Sequence, residues 1–312
     1  MKRTLNILRG WSWLMLLALL AGCSNDSDEP EPPQPENPKQ SLPLTIEVAE
    51  NPLIPEGVRS VGTRAAITRT SDLNEFYMSY MYEGATPSSG KETAKKNEEG
   101  TWTSTATWPD ATATISWYAY SCDDKTKGIY NANSGNPYIN FTVDKYASKQ
   151  HDLLVAKTSG TYSGTLLFTF DHACSALRFL VKKATNLGTS TLTVTKIKLC
   201  NVKNNGLYYF DSGWQSIQGN AEYTLYEGDI QTPKTIGSDY EPLNNEEGKP
   251  FLFMIPQNLS SSGTYVEVTW QCLGIGSGSG TAKIPLTRTL DKGYQYDVKI
   301  NIGTTTLTTY SN

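Results

Sequence analysis

Three sets of residues have the type and spacing to do chemistry. The first is Cys23, which follows Leu20-Ala21-Gly22. Small residues at 21 and 22 let a signal peptidase reach the backbone, and the Cys23 thiol can then take a diacylglycerol through a thioether. The second set is Arg59, Arg64 and Arg69, placed at five-residue intervals in a chain with seven arginines. A trypsin-like protease reads such side chains, and Gly62 and Ala65 make Arg64 the least hindered site, with Arg69 the rival. The spacing is equally that of a solvated loop decorated with arginine. The third set is the dipeptides His151-Asp152 and Asp171-His172. Neighbours on a strand point to opposite faces, so neither dipeptide makes a catalytic His-Asp contact unaided. His172 shares its parity with Phe168 and Phe170, which predicts a half-buried, hydrogen-bonded structural histidine.

Other patterns fall short of a reaction. GIGSGSG (274–280) is rich in glycine, but no helix follows and the Lys-Ser/Thr of a phosphate cradle is missing, so a hairpin turn is expected. Glu98-Glu99, Asp123-Asp124 and Glu246-Glu247 fall in polar loops. A pair of glycosidase carboxylates drawn from distant strands leaves no trace in sequence. No cluster of His, Cys and acidic ligands suits zinc, and no calcium loop is present. The expectation is no catalytic residue, no metal and no cofactor. Trp102, Trp108, Trp117, Trp214, Trp270 and 18 tyrosines could line a sugar site, yet core packing accounts for most of them.

The elements that would position Cys23 and the arginines are legible. Lys2, Arg3 and Arg9 precede the apolar run WSWLMLLALLA (11–21), so residues 1–22 read as a lipoprotein signal peptide. Its removal leaves 24 Lys+Arg against 31 Asp+Glu, a net charge of −7, and gives no reason to expect a nucleic-acid partner. Residues 23–43 interleave Asp and Glu with six prolines, a composition that buries no apolar area and forms an extended tether. PLTIEVAE (43–50) then alternates Leu44, Ile46 and Val48 with Thr45 and Glu47, as a short strand would. The turn-like NPLIPEG and the arginine window follow, so residues 44–64 form a strand and loop that could be cut and displaced.

From residue 73 the chain is a series of short alternating segments separated by Gly, Asn, Ser and Pro clusters, which predicts an all-β protein. They fall into two groups of similar size, an N-terminal sandwich domain over 44–160 and a C-terminal one over 161–312. Leu166, Phe168 and Phe170 alternate on even positions but Leu177, Phe179 and Val181 on odd ones, so a bulge or corner is predicted at 172–176. Cys122, Cys174, Cys200 and Cys272 permit three disulfide pairings. Cys272 shares a face with Val266, Val268 and Trp270 while Cys200 shares one with Lys196 and Lys198, so unpaired packing cysteines are the simpler expectation.

The ordered series TWTSTATWPDATATISWYAYS (101–121), HDLLVAK (151–157), LLFTFDHACSALRFLV (166–181) and GYQYDVKINI (293–302) resembles the Bacteroidetes fimbrillin family, subunits of type V pili and fimbrillin-like lipoproteins. Ser121-Cys122 and Cys174 depart from the family pattern. The acidic run behind Cys23 also resembles the surface-export signal of lipoproteins from the same bacteria. The resemblance implies two tandem transthyretin-like antiparallel β-sandwich domains in a non-enzymatic pilus subunit or tip adhesin. It implies export to the outer membrane with lipid on Cys23, cleavage after Arg64 or Arg69 by a trypsin-like protease, and loss of the 43–50 strand. Polymerisation with other pilus subunits would follow, another subunit's strand filling the vacated groove and the tail VKINIGTTTLTTY (298–310) being a candidate donor. A host protein or glycan would be the adhesion ligand. The alternative is a lipid-anchored glycan-binding surface protein that does not polymerise.

Overall fold

The computed structural model describes residues 42–50, 54–55, 73–82, 91–121, 129–131, 136–146, 149–228, 234–242, 251–274, 277–303 and 307–310. The described residues are strands joined by turns, with one short 3-10 turn at Thr185–Leu187. The protein is all-β.

Seven strands close a barrel. Its antiparallel wall runs through Trp102–Ser104, Glu92–Lys96, Glu75–Tyr82, Ile115–Ser121 and Leu154–Gly160. Thr165–His172 continues the wall, and Thr45–Glu50 closes the gap between it and Trp102. The Ile115–Ser121 strand is buried over most of its length because it is hydrogen-bonded on both sides and covered on both faces. Inside, Phe76 packs edge-on against Phe168 and Phe170 at 5.5 and 5.1 Å between ring centres. Trp108 packs on Trp117 at 5.7 Å. These rings, with Ile46, Met78, Ile115 and Leu166, form one hydrophobic cluster.

The second cluster lies between three further sheets. One pairs Ser175–Lys183 in parallel with Tyr294–Ile302 over eight residues. Opposite one another in that register, Arg178 and Asp297 form a two-pronged ion pair at 2.8 and 2.6 Å. These hydrogen bonds raise the guanidinium pKa further. Another sheet is built on Thr191–Val202, flanked by Ala221–Glu227 and Tyr265–Leu273, with Gly278–Pro285 outside the latter. The third contains Ile129–Asn131, Tyr138–Thr142, Asn205–Tyr209 and Gly213–Gln218. Gly206 lets the Trp214 ring lie across the strand, since a Cβ there would stand 3.1 Å from that ring and press it aside.

The corner predicted at 172–176 is where the chain leaves the barrel. Burial alternates on even residues through Phe170 and on odd residues from Leu177, with Ala173 and Cys174 both fully buried between the two strands. The Ala173 N–H donates to Leu153 O at 2.8 Å, Trp214 Nε1 donates to Ala173 O at 2.6 Å, and Gly293 N–H donates to Cys174 O at 2.9 Å. His172 is buried rather than half-buried, and its Nδ1 contacts Asp152 Oδ2. The two dipeptides are thus cross-paired: antiparallel register sets His172 opposite Leu154, which brings Asp152 within reach. Burial, and after it the Asp152 charge, push the Cys174 thiol well up, so it is held as an inert thiol.

Cys174, Cys200 and Cys272 are free and buried; Cys122 lies outside the described residues. Cys200 is on the lysine-bearing face, as its parity predicts, yet it is covered there rather than exposed. Burial raises its pKa as well.

Two stability experiments follow. Phe168→Ala should cost about 3–5 kcal/mol in urea denaturation, whereas Leu167→Ala, on the outer face of the same strand, should stay within about 0.5 kcal/mol. Asp152→Ala and His172→Ala should each cost about 3–5 kcal/mol, and the double variant clearly less than their sum; additivity would show that the two side chains are not coupled.

Candidate functional site: one leader segment across two strand edges

The residues that could do chemistry by cleavage or lipidation, Cys23, Arg59, Arg64 and Arg69, lie outside the described residues. The strand that precedes the arginines is described, with its pairing on both flanks.

Thr45–Glu50 pairs in parallel with 165–170, with Ile46 opposite Leu166 and Val48 opposite Phe168. On its other flank Ile46 pairs with Trp102. Its alternation is the one the sequence predicts: Ile46 is buried and Val48 half-buried, while Thr45, Glu47 and Ala49 are exposed. Upstream, Leu42 and Trp108 exchange main-chain hydrogen bonds of 3.0 and 2.9 Å. The Thr45 N–H donates to Gly164 O at 2.9 Å, and the Tyr162 hydroxyl donates to Pro43 O at 3.1 Å. The seat is therefore a groove whose floor is Phe168, Leu166 and Trp102 and whose walls are two strand edges. Ile46 alone contributes about 2 kcal/mol by burial.

The leader makes a second contact that the sequence reading missed. Ile54 and Pro55, within what reads as a turn, pair in parallel with Tyr294 and Gln295. They occupy the start of the free flank of Tyr294–Ile302, whose other flank is filled by Ser175–Lys183. Further along the same flank, Leu307–Tyr310 folds back antiparallel on Lys299–Ile302. One leader segment thus covers a barrel gap and part of a C-terminal strand edge. The only signal in the sequence is the apolar pair Leu53-Ile54 between two prolines, too short for a periodicity to show.

The tail divides at Ile302. Ile300 and Ile302 are fully buried and Val298 nearly so, all within the second core, so their side chains are committed to the chain's own fold. The apolar alternation of 298–302 marks a core strand.

Among the described residues no group of three or more His, Cys, Asp or Glu side chains is placed to hold a metal ion. The Asp152–His172 pair is sealed from solvent, with side chains 4% and 1% exposed. The grooves at this site are lined by main-chain donors and acceptors and by apolar side chains. That chemistry binds a strand.

In structure the chain is similar to a fimbrial protein from Bacteroides vulgatus, with a TM-score of 0.60 at 17% identity over 86% of this chain and 98% of that one. It is similar to a candidate cell adhesion protein from Parabacteroides distasonis, with a TM-score of 0.57 at 9% identity over 86% and 90%. A second candidate cell adhesion protein, from Bacteroides ovatus, gives 0.54 at 14% identity over 88% and 97%. At these identities the likeness is one of fold. No curated protein matches the chain. The sequence profile described as fimbrillin-like matches residues 63–312, four-fifths of the chain and every described strand after the leader. The chain belongs to the fimbrillin-like family.

Proposed function

We propose that the chain is a non-enzymatic subunit or accessory adhesin of a cell-surface pilus, assembled by exchange of the leader strand for a strand of another subunit. The observation that carries this reading is the seat of Thr45–Glu50: a short alternating strand joined to the body by an arginine-bearing segment and held by edge hydrogen bonds and two or three apolar side chains. Such a strand can leave a groove that another strand of the same pattern fits, because edge bonding is independent of sequence and alternate pockets accept Ile, Val or Leu. The match to the family profile begins at Thr63, one residue before Arg64. Names of fold relatives, one a fimbrial protein and two candidate cell adhesion proteins, point the same way.

The rest of the proposed life history fits around that step. Residues 1–22 direct export, Cys23 takes the lipid, and residues 23–43 hold the body away from the outer membrane. The body is proposed as two transthyretin-like sandwiches, but with the passage between them at the 172–175 corner rather than near residue 160, because Thr165–His172 belongs to the barrel and Tyr138–Thr142 pairs with Asn205–Tyr209 of the second core. A trypsin-like protease cuts after Arg64, with Arg69 the rival position, and residues up to the cut are released. The strand lent in turn to another subunit comes from residues 303–312, of which Leu307–Tyr310 is parked on the chain's own Lys299–Ile302 in the precursor. Leader loss exposes Tyr294 and Gln295, immediately beside that parking place, which favours the tail's departure to a partner.

Mild trypsin treatment of the purified chain tests this directly. Intact mass should show a stable body beginning at Ala65, Arg64→Ala should move the cut to after Arg69, and the triple variant Arg59→Ala/Arg64→Ala/Arg69→Ala should keep its leader. Gel filtration of the cut body should show a ladder of oligomers that the uncut variant does not form. A cut body that remains a monomer at every concentration would contradict strand exchange.

A further inference from the structure

The four-stranded sheet carries an unusual surface. Its strands Ile129–Asn131, Tyr138–Thr142, Asn205–Tyr209 and Gly213–Gln218 together contain no Asp, Glu, Lys or Arg. The sheet built on Thr191–Val202 is the contrast. There Lys196 pairs with Glu227 at 2.5 Å, Lys198 with Glu222 at 3.3 Å, and Lys283 with Glu267 at 3.9 Å. One surface is therefore held soluble by an ordinary mesh of charges. The other is polar without them.

Register places the outward residues of the uncharged sheet side by side. Asn205 faces Thr142, Leu207 faces Asn140 and Tyr209 faces Tyr138 across one strand pair, while Gln215 and Gln218 come from the next strand. The amides are pre-set by one another. Asn205 Nδ2 donates to Asn140 Oδ1 at 3.0 Å and to Thr142 Oγ1 at 2.7 Å, and Gln218 Nε2 donates to Asn205 Oδ1 at 3.2 Å. Gln215 Nε2 donates to Ser212 Oγ at 2.7 Å. Asn205 uses both of its amide ends in these links, while Asn140 accepts through Oδ1 and Gln215 and Gln218 donate through Nε2, which leaves Asn140 Nδ2 as a donor and the Oε1 atoms of Gln215 and Gln218 as acceptors outside these links. Beside them the Tyr138 and Tyr209 rings pack at 5.0 Å between centres with planes 42° apart, each half-exposed. The face measures about 14 Å in each direction from strand spacing and rise.

From this surface we infer that the outward face of the four-stranded sheet is a binding platform for a neutral oligosaccharide. A sugar ring presents an apolar C–H face, which stacks on a tyrosine, and hydroxyls that each donate and accept, which match an array offering amide N–H and C=O together. A neutral ligand gains nothing from a nearby charge, and a strongly hydrated Lys or Glu on the face would have to be stripped of water as the ligand docked. The composition argues against other occupants. A nucleic acid or an anionic lipid surface needs basic residues, and none is on these strands. Protein interface cores favour Arg and Met beside aromatic and large apolar anchors; this face carries neither Arg nor Met, and its aliphatic positions by register are Leu207 and, opposite Asn140 on the other side, Ile129. The inference stands apart from strand exchange, because the sheet contributes no strand to the leader's seat.

Calorimetric titration of the uncut chain with xylo-, cello-, manno- and chitohexaose, and with a heparin hexasaccharide as the anionic comparison, tests the inference. At least one neutral hexaose should bind with a Kd between about 10 μM and 1 mM. Tyr209→Ala and Asn140→Ala should each weaken that binding about tenfold. The exposed Gln218→Ala should weaken it while leaving the thermal midpoint unchanged, and Lys198→Ala on the charged sheet should bind as the parent does. Tyr209→Phe, which keeps the ring, should retain most of the affinity and guards against misreading a folding defect. Four results would overturn the inference: no neutral hexaose bound at about 10 mM, binding of heparin alone, variants that bind like the parent, or a face whose variants lose self-association and no sugar binding, which would make it a contact between subunits.

Discussion

A strand edge must satisfy its main-chain hydrogen bonds, and in this protein a segment at the start of the fold does so for two edges at once. Thr45–Glu50 lies between 165–170 and Trp102, and nine residues after Thr45, Ile54 takes up the flank of the C-terminal strand at Tyr294. Without the first contact the barrel is an open sheet with Phe168 and Leu166 facing water along the gap. Both the cost of that exposure and the unpaired edges are removed by any strand of the right alternation. On the proposed reading, the leader completes the fold and also sets the pattern of the strand that replaces it. Its hold is moderate, a few apolar side chains and one row of edge bonds, whereas the Ile115–Ser121 strand, bonded on both sides throughout, cannot be exchanged.

The corner at 172–175 has the opposite character. It is where the chain passes from the first core to the second, and it is fastened by Leu153, Trp214, Asp291 and Gly293 as well as by the Asp152–His172 pair. On the same proposed reading, that fastening would let the leader leave without loosening the rest. Inert, buried Cys174 beside that pair fits the same role, as a small packing residue shielded from oxidation.

Much of this fold was legible because a strand has a period of two. The alternations of 44–48, 166–170 and 177–181, and the switch between them, gave the buried faces and the corner correctly. What could not be read was anything set by register. His151-Asp152 and Asp171-His172 are two unremarkable dipeptides until antiparallel pairing places His172 opposite Leu154. The apolar alternation of 298–302 is the same in a core strand and in a donor strand, and only its eight-residue pairing with 176–183 decides for the core. Cys200 has the parity of an exposed residue but is small enough to be covered by its neighbours. The uncharged sheet was visible in composition, yet its segments are scattered from 129 to 218 and become a surface only when paired.

The two features with functional meaning are thus distinct in kind. A leader held by edges suits assembly; a fixed, charge-free face of amides and tyrosines suits recognition. The most direct test of the first is hydrogen exchange read by mass spectrometry on the chain before and after removal of residues 1–64. If Thr45–Glu50 is what completes the barrel, amides in 165–170 should lose protection when it is gone while those in 115–121 keep theirs, and a peptide spanning 303–312 should restore the loss. Equal protection of 165–170 with and without the leader would contradict its role as the strand that closes the fold.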